Sequence, residues 1–572
     1  MSDKSRMKVV LCWHMHQPDY RNLLSGEYQL PWVYLHATKD YVDMAAHLEA
    51  VPGARAVVNF APVLLDQLAD YAAQINGFLN DGIALRDPLL AALGEAALPV
   101  RAEQQLNLVS ACLRLNEARQ VSPVPQFRRL VKVARWVEEE PEALIYLGEQ
   151  FLGDLLTWYH LAWLGETVRQ RDARIKRLLD KGSNYTVHDR LELLGVISEL
   201  LGGLVGRYRA LAERGQVELS MSPMAHPMIP LLLDLKCARE AMPDAELPLL
   251  DAYPGGERRA RWHIEQGLKT FERHFGFRPR GCWPSEGGVS AATLALLKDY
   301  GLEWAASGQA VLHNSLYHAG RDTTQAREFW LFQPYRFGSD DGVACFFRDD
   351  ELSDLIGFTY ADWHGDDAVS NLVHNLEMIA SVREDNRNTV VPIILDGENA
   401  WEYYPNNGYY FLSALYQRLA DHPQLELTTF SACLDAGMPT TTLQKIVSGS
   451  WVYGSFSTWI GDPDKNRAWD VLGEAKRVFD RAVESGRLSG EAYQAALAQL
   501  AACEGSDWFW WFGDYNPAAT VSDFERLYRL HLANLYHLCG AEPPDHLSRA
   551  LSRGGGAPAA GGTMRHGQSE VQ

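Results

Sequence analysis

The sequence predicts an α/β protein, an irregular seven-stranded parallel barrel with a helical insertion and a C-terminal helical domain. Three observations point there. Short apolar runs recur without polar alternation, as strands buried on both faces do. Helical patterns lie between several of these runs, the rhythm of a parallel sheet or barrel. Each run also ends abruptly in polar, chemically capable residues, and parallel barrels carry their sites at those strand ends.

The runs come in this order. KVVLCW leads into HMHQPDY from His14, and AVVNFAP covers residues 56–62. VELSMSPMAHP starts at Val217, and RGCWPSE ends at Glu286. LEWAASG starts at Leu302, VACFFRDDE carries Arg348 and Asp349, and TVVPIILDGE carries Asp396. The count is seven rather than eight, hence the expected irregularity. Between them, residues 260–275 and 290–301 have helical spacing, the second opening on Ser290 as an N-cap and closing on Gly301. Residues 65–210 read as a mostly helical insertion that includes the apolar stretch 151–164. Residues 489–505 and 523–540 read as helices. The expected organisation is a barrel over 1–435, a helical domain over 436–550 contributing to the active-site cleft, and a Gly/Ala-rich tail over 551–572 without fixed structure.

Composition narrows the function. The 572 residues carry 53 basic and 73 acidic side chains, a net charge of −20. Such a surface has no general attraction to nucleic acid or to an anionic membrane. Hydrophobic residues make up 47% of the chain, which excludes bulk disorder. No run approaches the roughly 18 apolar residues of a membrane span, and the start lacks the apolar core of a signal peptide. The eight cysteines form no CxxC pair, so a reducing, cytoplasmic setting is expected. No GxSxG or Walker sequence is present, which weakens esterase and phosphotransfer readings. Nothing in the sequence signals an oligomeric state.

Candidate chemistry sits at the run ends. His14 and His16, two apart on a strand end, point to one side, with Gln17 beside them. They fit a metal site, a polar sugar clamp or a structural hydrogen-bonded pair, and His226 is positioned to add a third imidazole. Glu286 follows a buried strand in a glycine-rich segment with Trp283 as a possible stacking platform. Asp396 directly follows VPIIL and is expected at a strand tip, whereas Glu398 and Glu402, further along the loop, suit solvent or a structural role. Two carboxyls on different strand tips suggest paired acid/base chemistry, as in glycoside cleavage. The 17 Trp, 24 Tyr and 20 Phe supply flat faces for sugar rings. In GSWVYGSFSTWIGDPDKNRAWD (449–470), Trp459 and Asp462 are candidates to reach over the barrel mouth, with a helix opening near Pro463. GSDWFWWFGD (505–514) offers a second aromatic wall with Asp507 and Asp514. Two other readings stay open. One is a metal-dependent hydrolase of the polysaccharide deacetylase type, with His14, His16, His226 and Asp396 holding zinc. The other is a glucan-binding protein without catalysis.

Five segments in order resemble the motifs of glycoside hydrolase family 57. They are HMHQPDY (14–20), ELSMSPMAHP (218–227), GCWPSEGG (281–288), LDGENAWE (395–402) and GSFSTWIGDPDKNRAW (454–469). The resemblance implies a (β/α)7 barrel followed by a helical domain, α-glucan substrates, net retention, and no obligatory metal or other cofactor. It places the nucleophile on Glu286 and the acid/base on Asp396. It places His14, His16, Gln17, His226, Trp283, Trp401, Trp459 and Asp462 at substrate-binding positions, with Arg348 and Asp507 added from outside the motifs. The fifth motif and FFRDDELSDLIGF (346–358) resemble the amylase and amylopullulanase branch most. That branch implies cleavage of α-1,4 and also α-1,6 linkages, with 4-α-glucanotransferase and branching activities as the alternatives within the family.

Overall fold

In the computed structural model, which describes residues 6–339, 341–383, 385–556 and 563–565, one sheet organises the chain. Its strands are β1 (Met7–Met15), β2 (Ala56–Phe60), β3 (Val217–Met221), β4 (Gly281–Cys282), β5 (Trp304–Gly308), β6 (Tyr335–Phe337), β7 (Ala344–Arg348), β8 (Val390–Asp396), β9 (Leu425–Leu427) and β10 (Thr441–Leu443). The path runs β10-β6-β7-β5-β4-β3-β2-β1-β8, with β9 added beside β1. All seven expected strands lie on this path, and every pair among them is parallel. Neighbours in sequence are mostly neighbours in space. The sequence patterns did not foretell β6, β9 and β10, which are three residues each, too short for a period to register.

The ring of strands is not closed by a hydrogen-bond ladder. At the seam, the Asp349 N–H donates to Pro392 O at 2.8 Å, and the Arg348 guanidinium donates to Ile394 O at 2.8 Å. Pro392 accounts for part of the gap. It accepts from the β7 side but has no N–H to return there, and proline belongs on edge strands.

The strands are buried on both faces, which is why they read as continuous apolar runs. β4 is the thinnest because it is squeezed. A Cβ on Gly281 would lie 1.8 Å from the Trp304 ring of β5. The insertion is helical from Pro62–Asp81 to the 27-residue helix Val187–Glu213, whose start is fixed by a Thr186–Asp189 capping box. The stretch expected near 151–164 is the helix Glu149–Ala162, and those near 260–275 and 290–301 are Gly256–Phe275 and Ala291–Asp299. Ser290 caps the latter by accepting from the Thr293 N–H.

The C-terminal part contributes helices Pro463–Glu484, Gly490–Cys503, Asp507–Trp511 and Ala518–Leu538. A buried ion cluster ties it to the barrel. Glu504, fully buried, accepts from Arg259, His263 and Tyr253. Burial alone would raise its pKa, but Arg259 and His263 hold it down to about 2. Of the tail expected to lack structure, Leu551 and Ser552 are buried, and Arg565 lies 4.7 Å from the Trp510 ring centre. Residues 557–562 and 566–572 lie outside the described residues. Among the described residues, no helix is long and apolar enough to cross a membrane.

Gly281→Ala tests the packing of β4 on β5. The Trp304 ring has to move, and overpacking of this kind costs about 1–3 kcal/mol. A lowered unfolding midpoint is the expected calorimetric result, and an unchanged midpoint would contradict the packing described here.

Candidate active site

Parallel pairing puts residues of equal register at one level with side chains on one side. Here His14 on β1 is in register with Asp396 on β8 and Asn59 on β2, and Asn59 with Ser220 on β3. The result is a polar row at the C-terminal rim of the barrel. The His14 Nδ1 meets Asn59 Oδ1 at 2.7 Å, and Asn59 Nδ2 donates to Ser220 Oγ at 3.1 Å. Asn59 can only accept at Oδ1, so His14 carries its proton on Nδ1 and turns an unprotonated Nε2 outward. Burial and the neighbouring His16 push its pKa down to about 3, so the ring is neutral.

Above this row lies a cavity lined by His14, His16, Gln17, His226, Glu286, Asp396 and Asp507, together with Glu398, Asn399, Tyr20, Trp32, His36, Trp451, Trp510, Trp511 and Phe524. Three imidazoles stack on one wall, with ring centres 3.8 Å apart for His16 and His226 and 5.0 Å for His14 and His226. His16 Nε2 meets Asp507 Oδ1 at 2.9 Å. Burial works against a charge on His16, but Asp507, with Glu286 and Asp396, more than offsets it, and its pKa is raised. His226 lies in the left-handed region at φ 57° and is held neutral by burial.

Glu286 follows β4 in a tight turn at φ 59° and ψ 24°. This conformation costs a non-glycine residue about 1–3 kcal/mol and persists only where the surroundings impose it. Its C=O accepts from the Trp451 N–H at 3.1 Å, and the Gly287 C=O accepts from Ser307 Oγ at 2.6 Å. Its carboxyl is nine-tenths buried and takes Ser506 Oγ at 2.9 Å on Oε1 and Trp451 Nε1 at 3.3 Å on Oε2. Burial and the charge of Asp507 push it up to about 8, against the opposing effects of Ser506 and His16. Asp396, at the β8 tip, accepts from Asn399 Nδ2 at 2.8 Å, and burial pushes it up to about 6.

The structure brings together seven of the twelve site residues expected from sequence: Glu286, Asp396, His14, His16, Gln17, His226 and Asp507. The other five do not line this cavity. Trp283 is fully buried beneath it, its ring centre 6.1 Å from His14 and 5.3 Å from Trp451. Arg348 is buried in ion pairs with Asp350 and Asp354, behind Trp451. Trp401 is buried against Trp13 and donates to Gly397 O at 3.0 Å. Trp459 is fully buried behind Trp510, at 5.8 Å. Asp462 caps the helix Pro463–Glu484 by accepting from the Asp464 N–H at 2.9 Å. Large side chains one turn behind a site share its motifs because they hold its walls.

Other residues enter that sequence reasoning placed elsewhere or missed. Glu398, expected in solvent or in a structural role, is buried, accepts from Gln17 Nε2 at 3.1 Å, and is raised well above the usual range by burial and by Asp396 and Asp40. Its signal was its position two residues beyond a strand tip. Ser506 carried no signal, because serine before an aromatic helix start reads as a cap. Among the described residues, one group of His/Cys/Asp/Glu brings ligand-type atoms within 4.8 Å of one another: His16, His226 and Asp507. In this arrangement His16 Nε2 is already bonded to Asp507 and His226 Nδ1 to Ser506, and the two rings lie face to face. We read the group as a hydrogen-bonded sandwich. For the zinc set considered from sequence, His14 Nδ1 is engaged by Asn59, while His14 Nε2, His16 Nδ1 and His226 Nε2 have no hydrogen-bond partner among the described residues.

Comparison with known proteins adds the following. The family model described as Glycosyl hydrolase family 57 matches residues 10–445. A stretch of 117 residues is 24% identical to the 1,4-alpha-glucan branching enzyme of Thermococcus kodakarensis, covering 20% of this chain and 14% of that protein. A GH57-type branching enzyme from Pyrococcus horikoshii shares the fold with a TM-score of 0.56 at 16% identity, over 95% of this chain and 93% of that one. The alpha-amylase AmyC from Thermotoga maritima gives 0.54 at 15% identity, over 93% of each chain.

Asp507→Asn tests the electrostatics of the wall. Loss of the carboxylate removes the charge that raises His16, so the His16 midpoint in an NMR titration of ring-labelled histidine falls. A midpoint unchanged from the parent would contradict the pairing.

Proposed function

The chain belongs to glycosyl hydrolase family 57, and from that premise we propose that it cleaves α-glucan chains by double displacement through a covalent glycosyl-enzyme. The observation that carries the reading is the placement of Glu286 just past β4 and of Asp396 at the tip of β8, facing one cavity with aromatic walls. Glu286 attacks the anomeric carbon as the glycosidic C–O bond breaks, and Asp396 gives its proton to the departing oxygen. Asp396 then takes a proton from water or a sugar hydroxyl, whose oxygen displaces Glu286 and restores the carboxylate. The stacked histidines, Gln17 and Asp507 suit sugar hydroxyls. Trp32, Trp451, Trp510 and Trp511 suit the apolar faces of sugar rings.

The sequence motifs favour hydrolysis of the amylase or amylopullulanase type. Transfer to a second glucan, as in a 4-α-glucanotransferase or branching enzyme, has one observation on its side. Trp510, Trp511 and Phe524 of the C-terminal helices form an apolar wall that would hold an acceptor ring where water would otherwise enter. Product analysis on maltoheptaose, amylose and pullulan separates the two. Rising reducing ends with shorter chains mean hydrolysis. A redistributed ladder at constant reducing ends means transfer, and new α-1,6 linkages mean branching.

Two further outcomes are expected. Glu286→Gln lowers turnover by about 1000-fold or more while leaving glucan binding in place; parent-like turnover would overturn the assignment. The pH profile of kcat/KM is bell-shaped with limbs near 6 and 8, the values to which the Asp396 and Glu286 carboxyls are pushed. Below the lower limb both carboxyls are protonated and no nucleophile exists. Above the upper limb both are ionised and no acid remains. A flat profile across that window would contradict the pairing.

A further inference from the structure

The productive form of the pair has its proton on Asp396 and its charge on Glu286. The surroundings work against that order. Glu286 is faced by Asp507 and Asp396, which favour a proton on it, and by His16, which favours its charge, while neutral His226 packs alongside. The groups left to hold the charge on Glu286 are the two donors on its carboxylate oxygens, Ser506 Oγ and Trp451 Nε1.

Ser506 is the closer donor and the more firmly held. It is fully buried and comes from the C-terminal helical region, not from the barrel. Its N–H donates to His226 O at 2.9 Å, and Gly505 bridges Pro227. Two residues earlier, Glu504 is gripped by Arg259, His263 and Tyr253. The Ser506 hydroxyl therefore has little freedom. It has a single proton to give, and with that proton on Glu286 Oε1 it accepts from the Nδ1–H of His226 at 3.0 Å.

We propose that Ser506 is a positioning residue for the nucleophile: oriented by His226 and anchored through Glu504, its hydroxyl holds the Glu286 carboxylate in place and favours the productive form, in which the shared proton sits on Asp396. The role rests on the assignment of Glu286 as nucleophile. It makes the C-terminal region part of the chemistry and not only a wall of the cleft. The proton path follows from the bonds: His226 Nδ1–H to Ser506 Oγ, and Ser506 O–H to Glu286 Oε1, with no net transfer along it.

The test uses Ser506→Ala and Ser506→Thr in the full chain. In Ser506→Ala, kcat falls roughly 10- to 100-fold, the range for one hydrogen bond to a charged group, while KM changes little. The upper limb of the pH profile moves to higher pH, because Glu286 now holds its proton more tightly. Ser506→Thr keeps the hydroxyl and recovers most of the rate. A fall in kcat with both limbs in place, and Thr no better than Ala, would reduce Ser506 to a packing residue and overturn the proposal. The Glu286 midpoint is read separately, without turnover, as the infrared carboxyl titration of the parent minus that of Glu286→Gln. Its rise in the Ser506→Ala background is expected, and an unmoved midpoint overturns the proposal. Full turnover by Glu286→Gln would instead sink the catalytic reading, which separates the two failures.

Discussion

The register of β8, β1, β2 and β3 is the constraint on which the site depends. Equal register places Asp396, His14, Asn59 and Ser220 in one row, and a slip of one residue would turn each side chain to the opposite face. Burial of the apolar runs on both faces fixes that register, since a slip would carry polar side chains into the core. The same packing that stabilises the barrel therefore sets the geometry of its rim. The bond from His14 to Asn59 then selects the tautomer that leaves an acceptor nitrogen facing the cavity.

The barrel does not complete the site alone. Glu286 lies beyond the shortest strand in a left-handed turn, and its backbone is held by Trp451 from the segment after β10. Its carboxylate is held by Ser506 and faced by Asp507 from the C-terminal helices, which are clamped to the barrel through Glu504. Strain at Glu286 is thus imposed by elements far apart in sequence. The burial that comes with this closure pushes the carboxyls of both Glu286 and Asp396 up.

Much of this was legible in the sequence, for physical reasons. Two-face burial leaves a continuous apolar run, so all seven parallel strands could be marked, and several of the polar residues ending those runs fell at the rim. That is why Glu286, Asp396 and the three histidines, read from the run ends, fall around one cavity. The aromatic motif residues misled for a related reason. Trp283, Trp401 and Trp459 neighbour the site in sequence, yet their bulk is spent one layer back, supporting His14, Trp13 and Trp510. Nothing in a linear pattern separates a platform from its support. Ser506 was beyond reach because its role depends on a contact with Glu286 across hundreds of residues. The three short strands were too brief for periodicity to speak.

The central claim is that Glu286 becomes covalently bonded to the sugar. A fluorinated α-glucosyl fluoride, which forms such an adduct quickly and releases it slowly, tests this directly by mass spectrometry of the intact and digested protein. The account predicts one added sugar per chain, on the peptide that contains Glu286, and none in Glu286→Gln. An adduct on another carboxylate, or steady turnover of the reagent with inversion and no adduct at all, would contradict it.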